Sequence, residues 1–389
     1  MDASGYRCVS NNIDFIYFDA GGGHRAAATA LKAVVERQQR PWNVRMVNLQ
    51  EILDSLDIFR KITGIRLEDT YNLVLRKGWT LGSAQMLVAM HAIIRLYHRA
   101  QVGLLTEYWC GETPDMVVSL VPNFNRAMFQ ALQAVNPRIP YVTVITDFAD
   151  YPPHFWMERQ RQHMICGTER AVMQAKRLGY DDDRVHLVSG MILRERFYEE
   201  AELDVAAQRE RLGLDPGVPT GLVLFGGEGS ASMIDIAERL NRATLPLQII
   251  FICGRNRKLR ERLNGMRPRY PRFVEGFTSE IPYYMRIADF FIGKPGPGSI
   301  SEALAMKLPV VVVRSSWTLP QERYNAEWVN EKQVGVVLRS FAEIERGLTE
   351  LLEPANFARF RANAAAIHNR AVFEIPDILE RVLQSAAQA

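Results

Sequence analysis

Short apolar runs recur along the chain with helical patterns between them. Those reading as strands are Ile13 to Phe18, Val44 to Leu49, Met116 to Leu120, Tyr141 to Thr146, Met164 to Cys166 and Val185 to Val188. A charged stretch from Arg194 to Arg211 and the turn Asp215-Pro216-Gly217 interrupt this rhythm. It restarts at Gly221 to Phe225 and continues through Ile249 to Cys253, Phe273-Val274, Asp289 to Ile292, Val310 to Val313 and Val336 to Leu338. Runs without polar alternation fit parallel strands buried on both faces, and the spacers carry helical periodicity. Each half opens with a strand, a glycine loop and a helix. That opening predicts an α/β chain of two Rossmann-like, doubly wound domains facing a cleft, at residues 1–193 and 194–389, with the last helix packing back on the first domain. Ligands of such sheets bind beyond the carboxyl ends of the strands, so both glycine loops are expected to look into that cleft.

One segment departs from the rhythm. Residues 54–111 form a long helical excursion carrying Trp79, Leu81, Met86, Leu87, Met90, Ile93, Ile94 and Tyr97, with Arg76, Lys77, Arg95, His98 and Arg99 nearby. Two readings stay open: amphipathic helices facing a core, or an apolar lip resting on a membrane beside basic residues.

Composition narrows the class. With 389 residues, 48% hydrophobic and 23% charged, the chain can bury large cores and its length favours two domains. A formal charge of +3 is too mild to indicate nucleic acid, although it is compatible with an anionic ligand or a lipid surface. Cys8, Cys110, Cys166 and Cys253 lie far apart, in neither CxxC nor zinc spacing, which reads as reduced, cytosolic usage. The first residues lack the apolar stretch of a signal peptide. The run from Met86 to Ile94 is interrupted by His91 and closed by Arg95, so no transmembrane helix is expected and any membrane contact is peripheral.

The richest chemistry lies in Phe290-Phe291-Ile292-Gly293-Lys294-Pro295-Gly296-Pro297-Gly298-Ser299-Ile300-Ser301-Glu302. Small residues let backbone approach an anion, and a helix N-terminus supplies free amides and a positive dipole end. Ser299 to Glu302 also has the spacing of a capping box. Gly296 and Gly298 between prolines add a close approach that a cap does not need. They favour amides on a diphosphate, with Glu302 accepting from a ribose diol. Other predicted strand ends point to the same ligand. Gly227 and Glu228 lie in Gly226-Gly227-Glu228-Gly229-Ser230, where amides can meet a distal phosphate, and Arg255 opens the basic run Arg255-Asn256-Arg257-Lys258. Gly276-Phe277 offers backbone to a base, and Gln321, Glu322 and Asn325 are amide and carboxylate groups suited to sugar hydroxyls. Each has a plain alternative as a turn or a helix start.

In the first half, Gly21-Gly22-Gly23-His24 opens a helix. The positive helix end disfavours imidazolium, keeping His24 neutral and able to take a proton as general base. Asp147 is a second candidate, orienting the acceptor or supplying the base, while Gly22, Gly23, His154 and Trp156 are placed at the acceptor side. There is no P-loop, GxSxG elbow or HExxH motif. A diphosphate leaving group would therefore be stabilised by helix amides and basic side chains, and no cofactor or metal is expected.

Taken together, Asp19 to Ala26, Cys253-Gly254-Arg255-Asn256, Gly276-Phe277, Lys294 to Ser299 and Gln321-Glu322 with Asn325 resemble the monogalactosyldiacylglycerol synthase family over most of the chain. That family shares the GT-B fold with bacterial diglucosyldiacylglycerol synthases and, more distantly, with the UDP-N-acetylglucosamine transferase of lipid II synthesis. The resemblance implies an inverting hexose transfer from a UDP-sugar to a lipid such as diacylglycerol, at the cytoplasmic face of a membrane. It makes His24 the base, Glu302 the ribose acid, Gly298 and Ser299 the phosphate loop, Phe277 the backbone contact to uracil, and Gln321 with Glu322 the sugar contacts. Tyr151 to Trp156 departs from the family's histidine and tryptophan pattern, which leaves the acceptor less defined than the donor. Alternatives of other classes are a UDP-sugar epimerase of the same fold, a transferase acting on a polyprenyl-linked acceptor, a nicotinamide oxidoreductase and a non-catalytic binding module. Gly21 to His24 lacks the GxGxxG spacing that the oxidoreductase needs.

Overall fold

The computed structural model describes residues 10–19, 23–54, 83–199, 202–316 and 318–388. The described chain up to Arg194, Ser83 and Ala84 excepted, forms one compact unit together with the residues from Arg370 onward, and Glu195 to Asn369 form a second.

The first unit runs β1 (Asn11–Tyr17), α1 (Gly23–Arg37), β2 (Trp42–Asn48), α2 (Leu49–Leu53), α3 (Ser83–Leu96), α4 (His98–Gly111), β3 (Met116–Ser119), α5 (Asn125–Val135), β4 (Tyr141–Val144), β5 (His163–Cys166), α6 (Glu169–Arg177) and β6 (Val185–Leu187). Its six strands are parallel in the order β2-β1-β3-β4-β5-β6, with Ile13 opposite both Val44 and Met116. Chain direction across the sheet reverses between β1 and β3, so their carboxyl ends frame a crevice of the kind that binds ligands in such sheets.

The second unit runs α7 (Val205–Arg211), β7 (Thr220–Leu224), α8 (Ser232–Leu240), β8 (Gln248–Ile252), α9 (Arg257–Gly265), β9 (Arg272–Glu275), α10 (Ile281–Arg286), β10 (Phe290–Gly293), α11 (Pro297–Ala305), β11 (Val310–Val313), α12 (Arg323–Glu331), β12 (Gly335–Leu338), α13 (Ile344–Leu352) and α14 (Pro354–Ala366). Its order β9-β8-β7-β10-β11-β12 is that of a dinucleotide fold, with the reversal between β7 and β10.

Every expected strand is present, and several, such as β3, β4, β7, β8 and β10, are buried at each position. Helices on both faces leave no solvated side, which is why these runs lack polar alternation. The final helix, α15 (Ala371–Gln388), returns to the first unit. It packs Ala371, Ile375, Ile378, Leu379 and Val382 against Ile13, Phe15 and the Ala27, Ala28 and Leu31 face of α1. Burying five such side chains contributes on the order of 10 kcal/mol of apolar transfer before entropy is set against it.

The described part of the helical excursion holds one core-facing helix and one with exposed apolar side chains. In α4, Leu105 and Trp109 are core residues, and the Trp109 indole donates to Asp14 at 3.0 Å, itself paired with Arg45 at 2.5 Å. In α3, Val88, Ile93 and Leu96 are 70%, 57% and 77% exposed, while His91 on the other side shares a 2.7 Å hydrogen bond with Asn123. Trp79, Leu81, Arg76 and Lys77 lie outside the described residues, as does the structure around them.

Candidate functional site

Each unit carries one cluster of chemistry at the carboxyl ends of its strands. In the first, β1 leads into α1, whose first residue is Gly23; Gly21 and Gly22 lie outside the described residues. His24 therefore occupies the first turn of α1, where its imidazole is half-buried. Its Nδ1 lies 3.3 Å from Thr146 Oγ1, just past the end of β4, and its ring sits 5.9 Å from that of Trp156. Burial holds the imidazole down to about 4, against the opposing pull of the Leu120 carbonyl, so the ring is neutral at physiological pH. The expectation of a neutral ring rested on the helix dipole; the cause that the structure shows is burial.

Asp147 and Trp156 are placed differently from the sequence expectation. Trp156 is fully buried, so it backs His24 and does not line an entrance. Asp147 is also buried, and its Oδ2 accepts the Trp156 indole N–H at 2.9 Å. A carboxylate engaged in this way is suited to orienting Trp156, and of the two candidate bases His24 is the one with open surface. His154, half exposed with φ +62, pairs through Nδ1 with Glu158 at 2.7 Å.

In the second unit the β10 loop delivers α11. The helix begins at Pro297 with Gly296 as N-cap, and no side chain caps it. The capping box expected at Ser299 is therefore not formed, because Ser299 is already the third helical residue and Glu302 lies a turn deeper. Pro297 has no N–H and Ile300 donates to Gly296 at 3.1 Å, which leaves the Gly298 and Ser299 amides without intrahelical acceptors. A Cβ built on Gly298 would meet nothing within 4 Å. No steric need of the fold requires glycine there, and the space in front of the amides is open. Glu302 is four residues on from Gly298, about 6 Å along the same helix face.

Three further strand ends adjoin. Gly227 accepts from the Arg255 amide at 2.8 Å, and Gly254, at φ +60, has its Cβ position 2.2 Å from the Gly227 carbonyl, so the β7 and β8 loops can interlock only with glycine there. Glu228 pairs with Arg255 at 3.5 Å, and the Arg255 guanidinium lies 4.4 Å over the ring of Phe277, which is 60% exposed. Glu228, Arg255, Asn256, Arg257 and Lys258 line a concavity of about 310 Å³ at the head of α9.

The proposed sugar contacts separate. Gln321 is half-buried, whereas Glu322 is buried and paired with Lys294 at 3.3 Å. Asn325 is fully buried; its Nδ2 donates to the Pro295 carbonyl at 2.9 Å and so holds the loop, while its Oδ1 is buried without a hydrogen-bond partner among the described residues. Lys294, Thr146 and Asp150 escaped the sequence reading as candidates. Lys294 carried a visible signal, a cation inside the glycine loop, whereas Asp150 carried none because its role is set by loop packing.

Comparison with known proteins gives the same two halves a common class. Residues 222–382 match the glycosyltransferase family 28 C-terminal domain. The monogalactosyldiacylglycerol synthase of Spinacia oleracea is 26% identical over 94% of this chain and 71% of its own length. Among solved structures, MurG of Acinetobacter baumannii superposes with a TM-score of 0.59 at 13% identity, over 95% of this chain and 99% of its own. HepE of Anabaena, in complex with UDP-glucose, gives 0.52 at 15% identity, over 97% and 100%. At such identities the structures speak for the fold, and the sequence relatives speak for the class. The chain is a glycosyltransferase of the GT-B fold, carrying a family 28 C-terminal domain and similar along nearly its whole length to the monogalactosyldiacylglycerol synthases.

Proposed function

We propose that this enzyme transfers a hexose from a UDP-sugar to the hydroxyl of a lipid acceptor such as diacylglycerol, with inversion at the anomeric carbon. The donor belongs to the second unit and the acceptor to the first. The observation that carries the donor assignment is the head of α11: two amides without intrahelical acceptors, open space before Gly298 and Lys294 against Gly296, at the point where the strand order reverses. Such a site suits a diphosphate. The names of the sequence relatives support galactose and diacylglycerol as the substrates to try first.

In this reading the acceptor oxygen attacks the anomeric carbon while the bond from that carbon to the β-phosphate oxygen breaks. The electron pair leaves with UDP, and the acceptor proton passes to the neutral His24 imidazole. Amides at Gly298 and Ser299 take the charge growing on the β-phosphate, where fixed dipoles are worth most. Glu302 is assigned to the ribose hydroxyls, Phe277 backbone to the base, and Gln321 to the sugar. The exposed Val88, Ile93 and Leu96 of α3, with Arg95 and Arg99 exposed beside them, support peripheral contact with a lipid surface. Among the described residues no helix is long and apolar enough to cross a membrane.

The test is UDP release from a panel of UDP-sugars with and without diacylglycerol vesicles, followed by assignment of the product's anomeric configuration. Release that depends on acceptor is expected. Glu302→Ala should weaken UDP binding while His24→Ala spares it and removes turnover. Equal loss of UDP affinity in both variants would sink the division of roles, and sugar isomerisation without acceptor would replace the reading with an epimerase.

A further inference from the structure

The segment between β4 and β5, residues 147–158, contains the wall against which His24 sits, and its shape depends on one buried carboxylate. Asp150 Oδ1 accepts the Trp156 backbone N–H at 2.8 Å. The backbone N–H groups of Tyr151 and Met157 also stabilise its charge. Its own backbone is fixed from α6, where Gln174 accepts from the Asp150 N–H at 2.9 Å and donates to the Asp150 carbonyl at 3.0 Å. Trp156 in turn has its carbonyl held by Asn125 Nδ2 at 3.1 Å and its indole N–H by Asp147. One face of this construction ends on the His24 ring.

We propose that Asp150 is a positioning residue for the transfer reaction: by gathering the backbone of residues 151–157 it sets Trp156 against one face of the His24 ring. This rests on the reading of His24 as the base. Its link to the base runs through Trp156, whose backbone N–H it accepts and whose ring meets that of His24.

Charge around the carboxylate bears on how the device responds to pH. Burial raises Asp150 to about 6, with the neighbouring Glu158 charge adding to the rise and the three backbone N–H groups opposing it. Glu158 is shared with His154, and its carbonyl accepts from Tyr180 Oη. Cys166 on β5 and Tyr180 after α6 are the other titratable groups that feel Asp150, both kept protonated by burial. Asp147 meets the same tryptophan through the indole N–H. Below about pH 6 Asp150 therefore takes up a proton, and an acceptor of three amides becomes in part a donor.

The experiment follows the His24 imidazole by NMR of histidine-labelled protein, assigned with His24→Gln, in wild type and Asp150→Asn. The variant keeps the shape of the side chain but points an NH₂ group at backbone N–H groups, so Trp156 should loosen and the ring become more hydrated on that face. The His24 midpoint is expected to rise by one unit or more, a tenfold or larger gain in proton affinity, and the acid limb of kcat/KM to move up with it. If Asp150→Asn does not fold, Gln174→Ala withdraws the clamp on the Asp150 backbone and should move His24 in the same direction by less. An unchanged His24 midpoint in whichever variant folds, even with a lowered melting temperature, overturns the proposal. Because the titration needs no turnover, a shifted midpoint in a protein that transfers nothing would leave this inference standing while the transferase reading fails.

Discussion

Replacing Gly298 by alanine separates what the fold needs at the head of α11 from what a ligand needs. The added methyl meets no atom within 4 Å, and position 298 is already helical, so the fold should accept it. Alanine in a helix is favoured over glycine by about 0.5–1 kcal/mol, because less backbone freedom is lost on folding. For a unit of this size that corresponds to a melting temperature higher by roughly 1–4 °C. A phosphate seated on the Gly298 and Ser299 amides would be displaced by the same methyl. Losing one hydrogen bond to a charged group costs about 1.5–3 kcal/mol, or roughly 10- to 150-fold in affinity. Isothermal titration with UDP, paired with a thermal melt of the free protein, reads both quantities. The variant should be more stable and bind UDP more weakly. If UDP affinity is unchanged while stability rises, the phosphates do not sit at this helix end and the donor assignment fails.

Acid should destabilise the protein through its buried imidazoles. His24 and His163 are both held by burial at about 4, so an unfolded chain takes up two protons near pH 6.5 that the fold refuses. Their contribution is full above pH 6.5 and is lost as pH falls to about 4. Asp150, raised to about 6, acts with the opposite sign, contributing below the normal carboxylate range and losing that contribution as pH rises through 6. For these three groups, two protons against one set a fall of roughly 1.4 kcal/mol per pH unit between pH 6 and 4; His186, displaced downward like His163, adds to it, and Asp14, raised by burial like Asp150, offsets part of it. Urea unfolding across that range measures the slope, which His163→Gln should flatten; a wild-type curve that is flat from pH 6 to 4 contradicts the burial argument. At the lipid side, replacing Val88, Ile93 and Leu96 together by serine should lower partition onto diacylglycerol-containing vesicles by about tenfold or more, with UDP affinity intact. Unchanged sedimentation with vesicles would remove α3 from the lipid contact.

Strand positions were legible because burial on both faces leaves a largely apolar run, and most runs are closed by glycine, proline or a charge. The glycine loops were legible for the same reason, since a loop that turns sharply at a strand's carboxyl end must show it in composition. Helix starts were harder. Ser299 and Glu302 have the spacing of a cap, yet Pro297 is pre-set for the first helical position and starts the helix two residues earlier. Side-chain direction was not legible at all. Asp147, Trp156 and Asn325 were chosen as polar or aromatic groups near strand ends, but sequence does not say whether such a group faces a ligand or the protein. Asp150 shows the converse: its partners are backbone amides brought together by the fold, and backbone amides leave no mark in a sequence.

Asn325 explains why the β10 loop can serve as an anion cradle. A loop of small residues is normally flexible, and ordering it around a ligand costs conformational entropy, about 1–2 kcal/mol for each residue fixed. Here Pro295 and Pro297 restrict the backbone on both sides of Gly296, the Pro295 carbonyl is held by a fully buried Asn325, and Lys294 is tied to Glu322. The glycines are thus left with access to an anion but little freedom to lose on binding it. Preorganisation of this kind converts a weak feature, two amides at a helix end, into a competent one. It also gives Glu322 a part that does not depend on touching substrate, since the carboxylate fixes Lys294 within the loop and balances its charge until a phosphate arrives. Asn325→Ala should on this argument weaken UDP without any contact to it, by freeing the Pro295 carbonyl and the backbone that follows. Its binding enthalpy should change little while the entropic cost grows, and calorimetry showing a purely enthalpic loss would point to direct contact instead.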